Sequence, residues 1–146
     1  VKTVTESIII RNFTLEDFNS ALDLWEQTPG VGVGQSDQKE AIQIFLERNP
    51  GLSFVAVTET GQIIGTALSG HDGRRGYLYH LAVNPGYRRR GIGRRLVDAV
   101  TQALTAAGIS KAHLFVFDEN ELGKAFWLSQ GWTPRADLKI MSLTLK

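Results

Sequence analysis

Apolar and polar positions along the chain follow two periods, and their alternation sets out the elements. Ile8 to Arg11 reads as a short strand. Thr14 then stands where a helix cap belongs, with Asp17 three residues on, and Leu15, Phe18, Leu22 and Trp25 recur at the spacing of one buried helix face. Pro29-Gly30-Val31-Gly32-Val33-Gly34 breaks the chain, after which Ser36 or Asp37 is expected to cap a second helix facing inward through Ala41, Ile42, Phe45 and Leu46. Asn49-Pro50-Gly51 closes the helix pair, and Phe54 to Thr58 follows as a buried strand. Glu59-Thr60-Gly61 turns into a strand from Gln62 to Gly70, and His71-Asp72-Gly73-Arg74-Arg75-Gly76 turns again into Tyr77 to Val83. A longer helix carries Ile92, Leu96, Val100 and Leu104 on one face and ends at Gly108. Lys111 to Val116 reads as a strand, Glu121 to Gln130 as a short helix stopped by Gly131, and Trp132-Thr133 and Lys139 to Leu145 as closing strands. The order β-α-α-β-β-β-α-β-α-β-β makes an α/β (α+β) chain without repeats.

The 146 residues suit one domain, 1–146, with a core that needs no staples. There is no Cys, which excludes disulfides, thiolate metal sites and a cysteine nucleophile. The three His have no metal-ligand spacing, so no metal is expected. Val1 to Ser7 is polar and Ile8-Ile9-Ile10 is too short for the apolar region of a signal peptide. No run approaches membrane-spanning length, so a cytoplasmic protein with no membrane partner is the expectation.

Net charge is only +1, but it is unevenly placed. From Asn12 to Pro50 seven acids face Lys39 and Arg48, a balance of −5; from Asp72 to Lys111 eight bases face Asp72 and Asp98, a balance of +6. The second region suits an anion and the first a cation. Aromatics do not interleave with the Arg cluster, so nucleic acid is not an expected partner.

The basic region holds the most specific signal. The strand ending in Leu81-Ala82-Val83 passes through Asn84-Pro85-Gly86-Tyr87 into Arg88-Arg89-Arg90-Gly91-Ile92-Gly93-Arg94 and the long helix. A helix start offers unpaired backbone N–H groups and the positive end of the macrodipole, and Gly91 and Gly93 leave the backbone bare enough for an anion to approach. The Lys-Ser/Thr of a P-loop and the third Gly of G-x-G-x-x-G are both missing. The Gly30 to Gly34 segment also lacks Lys-Ser/Thr, and reads either as a lid or acceptor-site wall or as a plain linker.

Arg88-x-x-Gly91-x-Gly93 after a strand carrying Leu81-x-Val83 resembles the acetyl-coenzyme-A signature of the GNAT superfamily of N-acetyltransferases, and the element order from Ile8 onward is that of the GNAT fold. His71 to Gly76 and Gly131-Trp132 are similar to a small bacterial single-domain group of the YpeA type. The resemblance implies a mixed central sheet flanked by about four helices. It also implies acetyl-CoA as co-substrate, with its pantetheine along Leu81, Ala82 and Val83 and its pyrophosphate on Arg88, Arg89, Arg90, Gly91, Ile92, Gly93 and Arg94. The acceptor would be a small-molecule or protein amine, cationic given the charge split. Monomer and homodimer both stay open, since Lys139 to Leu145 could pair across a dimer.

With no Cys for an acyl-enzyme, direct transfer in a ternary complex is the simplest route. His80 and Tyr79 lie in the strand that would line the thioester. His80 is either a general base or a buried histidine satisfied by one hydrogen bond; His71 and Asp72 are secondary acceptor-site candidates. In the family's next motif Asn120, Gly131 and Trp132 match, but Trp127 stands where a Tyr supplies the acid in many members. An indole N–H donates a hydrogen bond and yields no proton, so Trp127 reads as a wall or a donor; solvent, Tyr77 or Tyr79 would then serve the thiolate, or transfer would be slow. That departure leaves two functions to separate, an N-acetyltransferase and a non-catalytic acyl-CoA-binding sensor.

Overall fold

The computed structural model describes residues 6–146. The first five residues, part of the polar N-terminal stretch noted above, lie outside the described residues. The chain divides into two compact units, Val1–Phe115 and Val116–Lys146.

The first unit is a five-stranded sheet in the order β1-β2-β3-β4-β5, with β1 Ile9–Asn12, β2 Phe54–Val57, β3 Ile63–His71, β4 Gly76–Val83 and β5 Ala112–Leu114. Neighbours are antiparallel except β4 and β5, which are parallel. Parallel neighbours need a crossover, and α3, Ile92–Ala106, provides it. α1, Phe18–Gln27, and α2, Lys39–Arg48, cover one face of the sheet through Phe18, Ala21, Leu24, Trp25 and Ile42, which cluster with Val55, Val57, Leu68 and Ala82. The strand alternation sends Ala56 to the other face, where α3 lies closest. A Cβ on Gly65 would stand 3.0 Å from Leu96 and one on Gly76 2.9 Å from Leu104, so two glycines let this helix sit down on the sheet. The buried stripe of α3 is the expected one, Ile92, Leu96, Val100 and Leu104, widened by Val97.

The Thr14–Asp17 capping box forms as expected, while the cap of α2 differs from its sequence reading. A short 3-10 turn at Leu15–Asp17 precedes α1, and Asp17 Oδ2 accepts the Thr14 N–H at 2.9 Å. Neither Ser36 nor Asp37 caps α2: they lie in a second 3-10 turn, Gln35–Asp37, and Gln38 takes the cap position. Asp37 is spent elsewhere, as described below.

Asp17 also holds Arg11 through two 2.8 Å hydrogen bonds. Burial works against its charge, but Arg11 and the Thr14 backbone outweigh it and hold the carboxyl below its ordinary value. In acid the native state therefore binds fewer protons here than the unfolded chain. The contribution is present above the unfolded carboxyl value of about 4 and is lost as pH falls through the folded one. Asp17→Asn is expected to cost about 1–3 kcal/mol at neutral pH and to flatten the acid limb of stability. Urea unfolding at pH 7 and below pH 4 checks both.

The second unit contains α4, Glu121–Ser129, stopped as expected before Gly131 at φ 88°. The two expected closing strands are not formed: neither Trp132-Thr133 nor Lys139 to Leu145 is in a ladder. Met141, Leu143 and Leu145 alternate as a strand face would, and all are exposed. Alternation marks a face, but a strand exists only through bonds to a neighbour. β5 is likewise three residues long rather than six, because β4 pairs with it only over Gly76–Leu78.

Candidate active site

The separation of β4 from β5 shapes the site. Beyond Leu78 the outer edge of β4 has no strand partner among the described residues. On its inner edge Val83 lies opposite Gly65, and Asn84 N–H donates to Ile64 O at 2.8 Å. Successive residues turn their N–H groups to opposite edges, so Val83 presents its N–H to the open side. Ala82 is core, 2% exposed, and belongs to the site only through its backbone.

Within the same strand the register slips: Leu68 faces Tyr79 and Thr66 faces Ala82, so Ala67 stands opposite two residues, His80 and Leu81. His80 takes a left-handed φ of 51° there. A regular strand would send Tyr79 and His80 to opposite faces. The bulge instead brings both into one cavity of about 460 Å³, also lined by Gly32, Ser36, Asp37, Ile42, Phe45 and Leu68. The Gly-rich loop is thus a wall of this cavity through Gly32.

Asp37 holds the loop and the histidine together. One carboxylate oxygen accepts Gly34 N–H at 2.8 Å and the other meets His80 Nε2 at 2.6 Å. A carboxylate only accepts, so Nε2 carries the hydrogen and the lone pair of neutral His80 sits on Nδ1. Nδ1 has no hydrogen-bond partner among the described residues, none of whose side-chain nitrogens or oxygens is both sealed from solvent and unpartnered. Nδ1 therefore reaches open space. The imidazole packs 4.7 Å from the Trp25 ring, and its backbone carbonyl accepts from Thr66 Oγ1, which in turn accepts from Trp25 Nε1, both at 2.8 Å. Tyr79 is edge-on to Phe45. Burial, with a smaller effect from Tyr77, raises its phenol above the ordinary value and keeps it protonated.

The start of α3 is capped by glycine in a basic turn. Gly91 is the N-cap of α3 at φ 74°, and a Cβ there would meet nothing within 4 Å. The first intrahelical donor is Arg95 N–H to Gly91 O at 3.0 Å, so Ile92, Gly93 and Arg94 have N–H groups without intrahelical acceptors. Arg89 is also left-handed, at φ 63°. Such turns converge successive N–H groups. Arg88, Arg89, Arg90 and Arg94 are exposed, while the Ile92 side chain is in the core. Arg90 stacks over the Tyr87 ring at 4.9 Å, so its charge is partly held in place.

Other candidates are engaged elsewhere. His71 Nδ1 accepts Gly73 N–H and Asp72 Oδ1 accepts the N–H groups of Arg74 and Arg75, which makes them turn-forming residues outside the cavity. Of the seven acids between Asn12 and Pro50 only Asp37 lines the cavity. No cluster of potential metal ligands occurs among the described residues, and no helix among them is long and apolar enough to cross a membrane.

The sequence model of the acetyltransferase (GNAT) family matches residues 18–132, which is most of the chain and takes in everything from α1 through α4. The chain belongs to the GNAT acetyltransferase family. It is 36% identical over 112 residues to an acetyltransferase of Pectobacterium atrosepticum, covering 77% of this chain and 78% of the relative. It is also 36% identical over 116 residues to an acetyltransferase of Photorhabdus laumondii, covering 77% of each. Among solved structures, Ard1 from Thermoplasma volcanium superposes with a TM-score of 0.78 at 19% identity over 88% of this chain and 84% of that one. The aminoglycoside acetyltransferase AAC(6')-Iy, in complex with the bisubstrate analogue CoA-S-monomethyl-acetylneamine, gives 0.73 at 20% identity over 96% and 99%. At these identities the structural likeness shows the GNAT fold, the one expected from the element order.

In this GNAT chain the next motif lies in the second unit. Asn120 caps α4, its Oδ1 accepting Gly123 N–H at 2.9 Å, so a contact to a ligand would come from Nδ2. Trp127 is half-buried, edge-on to Phe126 at 5.1 Å and to Trp132 at 5.2 Å. Its ring is therefore one member of an aromatic cluster within its own unit.

The residues missed in the sequence are Asp37 and the bulge. A histidine in an apolar strand calls for a polar partner, and that is the only signal that points to a distant carboxylate. Nothing in Tyr79-His80-Leu81 announces a left-handed residue, since His tolerates that region without requiring it.

Proposed function

We propose that this acetyltransferase moves an acetyl group from acetyl-CoA to a primary amine by direct attack in a ternary complex. The observation that carries the reading is the open edge of β4, flanked by the Asp37–His80 pair and followed by the Gly91 helix start. The exposed N–H groups of Ile92, Gly93 and Arg94, with Arg88, Arg89, Arg90 and Arg94 around them, fit a pyrophosphate. The open outer edge of Leu81 to Val83 fits an amide-bearing arm that pairs as a strand would.

Acetyl-CoA supplies an activated acyl carbon and a thiol leaving group. An alkylamine holds its proton up to about pH 10, so a base must free its lone pair. Neutral His80 takes that proton on Nδ1, and Asp37 stabilises the imidazolium through Nε2. The amine nitrogen then forms the C–N bond, the carbonyl electrons move to oxygen, and a backbone N–H on the open edge of β4 receives the oxyanion. The oxyanion collapses, the C–S bond breaks and the thiolate departs, while the nitrogen loses its second proton to solvent and the imidazolium of His80 returns its own. The thiolate of a thiol near pKa 8.5 is a weaker base than the phenolate of Tyr79, whose phenol burial holds above its ordinary value, so full proton transfer from Tyr79 runs uphill. Tyr79 therefore assists by hydrogen bonding, and solvent supplies the proton. The net change is one amide, one thiol and one released proton.

Thiol release from acetyl-CoA measured across an amine panel tests the reading. Release only when an amine is added supports it. Stabilisation by coenzyme A with no release for any amine would instead establish the sensor.

Trp127 gives a separate check. As a wall or hydrogen-bond donor it tolerates Trp127→Phe with a loss of about tenfold or less. Trp127→Ala opens the aromatic cluster and costs up to about 3–5 kcal/mol, less for the exposed part of the ring. A folded, coenzyme-A-binding Trp127→Phe without activity would show that the indole N–H is indispensable.

A further inference from the structure

Resting on the transferase reading, we infer that the cavity at Asp37–His80 takes a monoamine carried on an aromatic or branched apolar body. Its nitrogen would lie at the Asp37–His80 end and its body against Ile42, Phe45, Leu68 and Tyr79.

Charge decides first. Asp37 is the one carboxylate in the lining, and both its oxygens are already engaged, by Gly34 N–H and His80 Nε2. Its charge offsets one ammonium. A polyamine or aminoglycoside brings several, and each further ammonium would lose water beside apolar side chains with no anion to meet it. The other acids of the region do not change this. Asp17 is bound to Arg11 and sits outside the lining, as do Glu16, Asp23, Glu26, Glu40 and Glu47.

Shape agrees with charge. The cavity of about 460 Å³ is the size of a small-ligand site. Its aromatic wall continues beyond it along the sheet, because Tyr79 stacks on Tyr77 at 6.3 Å and Tyr77 stacks on Phe115 at 6.3 Å. Phe45 meets Tyr79 edge-on at 6.0 Å. A ring or branched chain gains contact on such faces that a hydrated polycation does not.

The test uses phenethylamine and isopentylamine against spermidine and kanamycin, with thiol release from acetyl-CoA as the first readout. The monoamines are expected to exceed both polycations in kcat/KM by about tenfold or more, the effect of one unmatched, partly desolvated charge. Calorimetric titration of phenethylamine into protein saturated with coenzyme A is the second readout and needs no turnover. Ser36 is an exposed lining residue, and Ser36→Asp adds a second carboxylate. It is expected to shift preference toward spermidine by about threefold, as a rim charge does. Turnover of spermidine or kanamycin at equal or better efficiency overturns this inference and leaves the transferase reading standing. Titration of phenethylamine with no release from any amine upholds the site and removes the transferase reading. Absence of phenethylamine binding overturns the inference whatever the rates show.

Discussion

Replacing His80 by Asn is expected to lower the rate of acetyl transfer by about 10²–10⁴-fold, the usual worth of a positioned general base. Asn suits the test because it tolerates the left-handed φ of 51° that position 80 adopts, so the bulge survives while the base is lost. Asp37→Asn retains the imidazole and replaces the carboxylate that meets its Nε2 at 2.6 Å. A loss of about 10–100-fold is expected there, as for other groups that act through a neighbour. It should fall on kcat, with the pH–rate profile altered. A histidine that merely anchors the Gly34 loop would behave differently, with KM and thermal stability moving and the profile of kcat unchanged. Near-native rates in a folded His80→Asn variant would end the role of His80 as base.

Much of this arrangement was legible before any coordinates. The helix stripe of α3, the turn at Gly61 and the stop at Gly131 each follow from local chemistry, a period of 3.6 or a residue that accepts positive φ. The glycine-capped start of α3 in a basic turn is legible for the same reason, because the cap and the turn are contiguous in sequence. The Asp37–His80 cavity is not. It depends on Asp37 reaching across 43 positions to His80 and on one extra residue between two register points of β3 and β4. Both are long-range facts that no window of the sequence contains. In the sequence Asp37 shares with Ser36 the place of a helix cap, because both are residue types that cap after a Gly-rich break. The closing strands failed in the opposite direction: Lys139 to Leu145 has strand composition, but composition cannot supply the neighbour.

The charge split illustrates the same limit. A balance of −5 over Asn12 to Pro50 suggested an acidic approach to the acceptor site. Once folded, Asp17 is bound to Arg11, Glu47 accepts from Gln43 and a single acid lines the cavity. Summed charge describes the field at a distance, whereas recognition within the cavity depends on which carboxylate faces it.

The largest stability effect is expected at Trp25, which is fully buried among Phe13, Phe18 and His80 and has its indole N–H on Thr66. Trp25→Ala should cost about 3–5 kcal/mol through the cavity it leaves, a large share of the 5–15 kcal/mol or so that holds a domain together. Thr66→Val conserves volume but orphans two groups at once, the Trp25 N–H and the His80 carbonyl, at roughly 1–3 kcal/mol for each buried group left unpaired. Trp25→Phe keeps a ring and leaves Thr66 free to donate to His80, so its cost should be the smallest of the three. Urea unfolding gives the order. The chain Trp25, Thr66, His80 also makes a functional statement, since it holds the carbonyl of the one bulge residue that carries the candidate base. Thr66→Val is therefore expected to reduce kcat at temperatures where the variant is fully folded, while Trp25→Phe leaves kcat nearly unchanged. If both variants lose stability in the expected order but keep the native kcat, the hydrogen-bonded chain stabilises the core without positioning the imidazole.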